Sequence, residues 1–63
     1  MAMTMAKTEM VIKIKELGVN RVKVKPILGS WNILYQVDPN HAESIFTAQS
    51  KEECEELIQL AAQ

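Results

Sequence analysis

The sequence predicts an α+β domain: an antiparallel sheet of three to four strands with one C-terminal helix packed on one face. Three observations support this class. Apolar and charged residues alternate along residues 21–25, as they do on a strand with one buried face. Turn-forming residues follow at 29–30 and 38–40. Residues 50–63 begin with a capping sequence and then place apolar side chains at helical spacing.

The first element spans residues 10–15. Apolar residues at 10, 12 and 14 alternate with Lys13 and Lys15, which is the period of a strand. The alternative is a helix that ends at Gly18, because glycine is common at helix C-termini. β-branching and alternation favour the strand, so we expect a strand here.

The next two strands form a hairpin. A two-residue loop at Gly29-Ser30 suits a type II′ turn, because glycine then stands at the first central position. This loop brings uncharged residues together on one face, in the pairs Leu28–Trp31, Pro26–Ile33, Val24–Tyr35 and Val22–Val37. The opposite face receives Arg21, Lys23, Lys25, Asn32, Gln36 and Asp38.

The C-terminal part continues with a turn, a short strand and a helix. Asp38-Pro39-Asn40 has the residues of a type I turn, and residues 43–47 predict the next strand. Ser50 and Glu53 have the spacing of a capping box at a helix start. The apolar stripe of this helix consists of Cys54, Leu57, Ile58 and Ala61. We expect this stripe to cover the sheet face that holds Trp31.

Charge is divided unevenly along the chain. Residues 1–35 carry six cations and two acids, whereas residues 36–63 carry one cation and six acids. Clustered cations on a strand ribbon bind phosphates, and such a ribbon fits a DNA major groove. The candidate nucleic-acid-binding residues on this basic face are Lys13, Lys15, Arg21, Lys23, Lys25, Asn32 and Gln36. The alternative is a solvated strand face, where lysine is the common outward residue.

Two aliphatic residues, Ile27 and Leu34, fall on the otherwise polar face. Large apolar side chains on a surface indicate a contact with another protein. The expected partner is a second copy of the chain or a larger protein, and the acidic helix of a second copy would suit the basic face. We therefore expect a small interaction module that self-associates or docks as a regulator. A nucleic-acid-binding accessory protein is the alternative.

The residues that carry catalysis are sparse in this sequence. It has one cysteine, Cys54, and one histidine, His41, too few for a structural zinc site. It lacks the Gly-rich phosphate loop and the common catalytic motifs. We therefore expect no enzyme activity, no metal or other cofactor and no small-molecule substrate.

Composition also bears on location. No apolar run approaches the ~20 residues of a membrane span, and a lone cysteine suits a reducing compartment. We expect a cytoplasmic protein without membrane contact. Residues 1–8 lack the apolar stretch of a signal peptide and predict a disordered tail, with a single domain at 9–63.

The order of parts in residues 21–62 resembles a known family. Ser30-Trp31 opens the middle strand, and Ile45-Phe46-Thr47 leads into the capping sequence at Ser50. This arrangement is similar to the arm-type DNA-binding N-terminal domains of phage and transposon integrases, and to small uncharacterised bacterial and phage proteins of the same outline. The resemblance implies a three-stranded sheet that enters the major groove with a helix behind it. The matching contact residues would be Arg21, Lys23, Lys25, Asn32 and Gln36.

Overall fold

A computed structural model describes residues 7–63, which form a three-stranded antiparallel sheet with two helices. The elements are α1 (Lys7–Leu17), a 3-10 turn (Val19–Arg21), β1 (Val22–Ile27), β2 (Ser30–Asp38), β3 (His41–Ala48) and α2 (Lys51–Ala61). The strand order is β1-β2-β3. The α+β class and the antiparallel sheet are confirmed, but a helix precedes the sheet as well as following it.

The strand predicted for residues 10–15 is wrong, because this segment belongs to α1. The alternative, a helix ending at Gly18, is correct. The Gly18 amide donates to the Ile14 carbonyl at 2.8 Å, and Gly18 has a φ of 108°, which glycine adopts without strain. Met10 and Ile14 lie one turn apart and are buried. Of the predicted tail, residues 7 and 8 lie in this helix, and residues 1–6 lie outside the described part.

The β1–β2 hairpin turns at Leu28-Gly29, so the predicted loop at Gly29-Ser30 is wrong. Both turn residues have positive φ, 50° and 87°, as a type I′ turn requires. Val24 pairs with Ile33, where the predicted loop paired it with Tyr35. Shifting a two-residue loop by one position changes every partner by two residues, so each side chain keeps its face.

Leu28 departs most from its predicted position. The prediction paired it with Trp31 on the buried face, but Trp31 pairs with Pro26 and Leu28 is 100% exposed at the turn. A left-handed backbone costs a non-glycine residue about 1–2 kcal/mol. Leu28 bears that cost without any burial in its own chain.

The β2–β3 connection is the predicted turn. The Asp38 carboxylate accepts from the Asn40 amide at 2.9 Å, which closes the turn over Pro39. The register shifts by one after the Ile33–Phe46 pair, so Ile45 is an extra residue on β3. Ile45 and Phe46 both pack against the core because of this bulge.

Helix α2 begins as the sequence predicts. The Ser50 hydroxyl accepts from the Glu53 amide at 3.3 Å. The predicted stripe faces inward, with Cys54, Leu57 and Ala61 buried and Ile58 partly buried. These residues join Met10, Ile14, Ile33 and Ala48 in one core.

Both helices contribute to that core, and neither helix of residues 7–63 covers the other sheet face, which we call the open face. The Lys7 ammonium lies 3.7 Å from the Glu56 carboxylate, and Leu60 lies beside Val11 and Lys15, so α1 and α2 run in the same direction. No helix within residues 7–63 combines the length and apolar character needed to cross a membrane.

Candidate interaction surfaces

The cations predicted to share one sheet face lie on different elements. Lys23 and Lys25 are exposed on the open face of β1. Lys13 and Lys15 are exposed on the helix α1 and not on the sheet, so the predicted five-cation ribbon is wrong. Arg21 lies in the 3-10 turn, with its guanidinium carbon 5.6 Å from the centre of the Tyr35 ring.

The two amide side chains among the candidate nucleic-acid-binding residues already make hydrogen bonds within the sheet. Asn32 lies on the open face but is only 6% exposed, and its side-chain oxygen accepts from the Ser44 hydroxyl at 2.7 Å and the Thr47 hydroxyl at 2.8 Å. The Gln36 side-chain nitrogen donates to the backbone carbonyls of Asp38 at 2.6 Å and His41 at 3.3 Å. Both amides therefore tie β2 to β3 or to the turn between them.

Ile27 and Leu34 share the open face but are not neighbours. Ile27 is 42% exposed and pairs with Ser30, while Leu34 is partly buried and pairs with Lys23. The pair of Lys25 and Asn32 lies between them. The structure thus separates the two predicted interface residues by one row of the sheet.

Ile27 instead adjoins Leu28, and these two residues form what we call the hairpin tip. Both side chains are large, apolar and exposed at the end of the β1–β2 hairpin. The tip lies at the same end of the sheet as the start of α2, because the Lys51 ammonium sits 5.7 Å from the centre of the Trp31 ring.

A second apolar surface lies between the two helices, and we call it the helix groove. It has a volume of about 360 Å³ and is lined by Lys7, Thr8, Val11, Ile12, Lys15 and Leu60. Ile12 is 50% exposed and Leu60 is 40% exposed. The sequence reasoning missed this groove because it treated residues 10–15 as a strand. Helical spacing of residues 8, 11, 12 and 15 was the signal that could have revealed it.

Ion pairs within residues 7–63 join exposed side chains. They are Lys7–Glu56 and Lys51–Glu55, both at 3.7 Å. The His41 imidazole lies 3.5 Å from the Glu43 carboxylate. Exposed pairs of this kind stabilise a fold by at most about 1 kcal/mol. Among the described residues, the five cations between residues 13 and 25 have no carboxylate within salt-bridge distance.

The single thiol of the chain has the features of an unreactive cysteine. Cys54 is buried, and burial raises the pKa of its thiol, with further increases from the carboxylates of Glu53 and Glu55. A raised pKa disfavours the thiolate, which is the reactive form. Within residues 7–63, no three His, Cys, Asp or Glu side chains are grouped so that they could hold a metal ion.

Comparison with known proteins gave no match to a family model, to a curated protein or to a solved structure.

Proposed function

We propose that the chain is a small, non-catalytic interaction module that associates with a second copy of itself through the helix groove. The observation that carries this proposal is the pair of exposed aliphatic side chains, Ile12 and Leu60, on either side of an apolar groove of about 360 Å³. Apolar surface grouped in this way marks a contact site, whereas isolated exposed side chains are ordinary.

The size of the protein supports self-association. A domain of this length buries only about 60% of the surface that its unfolded chain exposes, so its own core stabilises it by little. Small domains of this kind gain stability from disulfides, metals or oligomerisation. The chain has one cysteine, so a disulfide within it is excluded, and a second copy remains a natural source of further burial.

The charges around the groove support a partner with acidic groups. Lys7 and Lys15 stand at the rim of the groove; Lys7 is paired with Glu56, and Lys15 has no carboxylate partner among the described residues. Helix α2 carries four acids, Glu52, Glu53, Glu55 and Glu56. Its three buried residues face the core, so the acids lie on the exposed part of the helix. A second copy therefore supplies carboxylates of the sign that the groove rim requires, which favours association and fixes its orientation.

The test is a set of aspartate substitutions read by molar mass in solution. We expect Ile12→Asp and Leu60→Asp each to weaken self-association at least tenfold, because each places a charge in the apolar contact. Val37→Asp is the matched control: Val37 is 38% exposed, lies at the far end of β2 and should leave the mass unchanged.

Two results would reject the proposal. One is a wild-type chain that stays monomeric at millimolar concentration, which would leave docking on a larger protein as the better explanation of the groove. The other is an equal loss of association in all three aspartate variants, since Val37 does not line the groove.

Nucleic-acid binding is a second candidate function, supported by the run of cations between residues 13 and 25 that lack carboxylate partners among the described residues. Lys23 and Lys25 are exposed together on the open sheet face, as the integrase resemblance would require. Cations that are free to meet phosphates release counterions on binding. The engaged amides of Asn32 and Gln36 favour backbone contact over base reading.

This candidate predicts duplex binding that weakens steeply as salt increases. Each cation that contacts a phosphate adds about 0.9 to the slope of log affinity against log salt. The double substitution Lys23→Glu and Lys25→Glu should abolish binding measured by fluorescence anisotropy. Lys51→Glu is the control, because Lys51 is already paired with Glu55. Binding that is unaffected by the double substitution would exclude the sheet face.

A further inference from the structure

We infer that the helix groove of one copy receives the hairpin tip of another, so that Leu28 enters between α1 and α2 of its partner. This inference rests on the proposed self-association and specifies its contact. It arises from the position of Leu28, which the sequence pattern assigns to the core and the structure exposes completely.

Two reciprocal contacts of this kind, tip to groove in both directions, would cover four of the five large apolar side chains that each copy exposes within the described residues. Within residues 7–63 there are five such large side chains: Ile12, Ile27, Leu28, Val37 and Leu60. Two of them form the tip and two line the groove. Only Val37 would remain in water, and a single exposed aliphatic residue is ordinary for a soluble protein.

The left-handed backbone at the hairpin tip costs free energy that burial within the same chain does not offset. Asparagine, aspartate or glycine is the usual residue for a type I′ turn, because the left-handed backbone strains other side chains. Leu28 adopts a φ of 50° there and is 100% exposed. Backbone strain at an exposed position is characteristic of contact and functional sites. A leucine at this position is therefore explained by a partner that buries it.

The groove has the size and lining to accept the tip. An apolar protein cavity of about 150 Å³ holds a benzene molecule. The helix groove, at about 360 Å³, therefore has room for the Leu28 side chain together with part of Ile27. Val11, Ile12 and Leu60 provide apolar walls, and no carboxylate lines the groove.

The charges near the tip match those near the groove. Helix α2 begins beside Trp31 at the hairpin end of the sheet, so its first-turn acids Glu52 and Glu53 approach with the tip. Lys15 stands at the groove rim to meet them and has no carboxylate partner among the described residues, whereas Lys7 there is already 3.7 Å from the Glu56 carboxylate of its own chain. Lys25 of β1 also lies near the tip and is exposed on the open face, away from α2.

The test is disulfide trapping between two differently labelled chains. One chain carries Leu28→Cys, and an isotope-labelled chain carries Ile12→Cys or, in a second mixture, Leu60→Cys. Disulfides require the two Cα atoms to approach within about 7 Å, so trapping reports this contact directly. Native Cys54 is buried, and wild-type chains mixed in the same way provide the background.

We expect the mixed disulfide between the tip and the groove to exceed each same-site disulfide at least tenfold in one or both mixtures. A chain with Val37→Cys in place of Leu28→Cys is the control and should give only the random proportions. If the 12–12 or 60–60 disulfide dominates, the copies meet groove to groove: the inference is then wrong, but the proposed self-association stands. If trapping is random and the chain is monomeric, both fail.

A second variant tests the contact without a crosslink. Leu28→Asn keeps the left-handed turn favourable, so the protein should fold at least as well as the wild type. Because it removes the apolar side chain, it should weaken self-association at least tenfold. Self-association of Leu28→Asn equal to that of the wild type would overturn the inference.

Discussion

Replacing Leu57 with alanine is expected to leave much of the protein unfolded at room temperature. Leu57 is fully buried in α2, at the centre of the core that joins both helices to the sheet. Leucine-to-alanine changes in a core cost about 2–5 kcal/mol, because they remove apolar contacts and leave a cavity. A domain of this size is stable by only about 3–5 kcal/mol. The substitution therefore lowers the free energy of unfolding by most or all of its value.

Leu60→Ala is the matched control for Leu57→Ala. It makes the same chemical change three residues later on the same helix, at a position that is 40% exposed. Its cost should stay near 1 kcal/mol, about the centre of the range for point substitutions and well below that of Leu57→Ala. Urea unfolding followed by circular dichroism, at a concentration where the monomer dominates, measures both. Equal losses of stability in the two variants would contradict the assignment of the inner face of α2.

The Cys54 thiol is expected to react with a maleimide about 100- to 5,000-fold more slowly in the folded protein than in urea. Cys54 is buried, so labelling requires opening of the core, and an opening free energy of about 3–5 kcal/mol corresponds to that protection. Labelling of the native protein at nearly the urea rate would show that α2 does not cover the thiol.

The same thiol should make the stability depend on alkaline pH. Burial, and then Glu53 and Glu55, raise the pKa of Cys54 above its ordinary value of 9.0, so the folded state favours the protonated thiol. The resulting stabilisation is complete below the unfolded pKa and is lost as pH rises through the folded pKa. Unfolding curves of the wild type and of Cys54→Ala should therefore converge or cross above about pH 9. A constant difference between them would contradict the shift.

The C-terminal half of the fold could be predicted because its local signals agree with one another. Ser50 has a capping residue three positions later, and the stripe from Cys54 to Ala61 has only helical spacing. The structure reproduces the stripe and the hydrogen bond from the Glu53 amide to the Ser50 hydroxyl. Asp38 likewise predicts the turn that its carboxylate closes.

The N-terminal segment was mispredicted because its pattern fits two periods. Alternation at residues 10, 12 and 14 favours a strand, but Met10 and Ile14 are also one helical turn apart. Whether this segment forms a helix or a strand depends on packing against α2, which covers Met10 and Ile14 and leaves Ile12 exposed. That contact is remote in sequence, so the six-residue pattern could not reveal it.

The hairpin shows a different limit of the sequence pattern. Each β1 and β2 side chain has the same face with a loop at Gly29-Ser30 as with a loop at Leu28-Gly29, because the two registers differ by two residues. The pattern of apolar residues therefore determines the sheet face of each side chain but not which residues pair across the two strands. The preference for glycine at the first central turn position placed the predicted loop at Gly29-Ser30, and that loop assigns Leu28 to the buried face.

The interaction surfaces were predicted least well, since each depends on parts brought together by the fold. The helix groove needs α1 to be a helix and to lie beside α2, and the hairpin tip needs the observed register. Ile27 was identified from the sequence as a surface aliphatic residue, but its neighbour there is Leu28 and not Leu34.

Self-association is measured by sedimentation equilibrium of the full chain, from micromolar to millimolar concentration. We expect an average mass that rises with concentration from 7.1 kDa towards twice that value or beyond, together with a melting temperature that rises in parallel. A mass that stays at 7.1 kDa across the whole range, with a constant melting temperature, would contradict self-association.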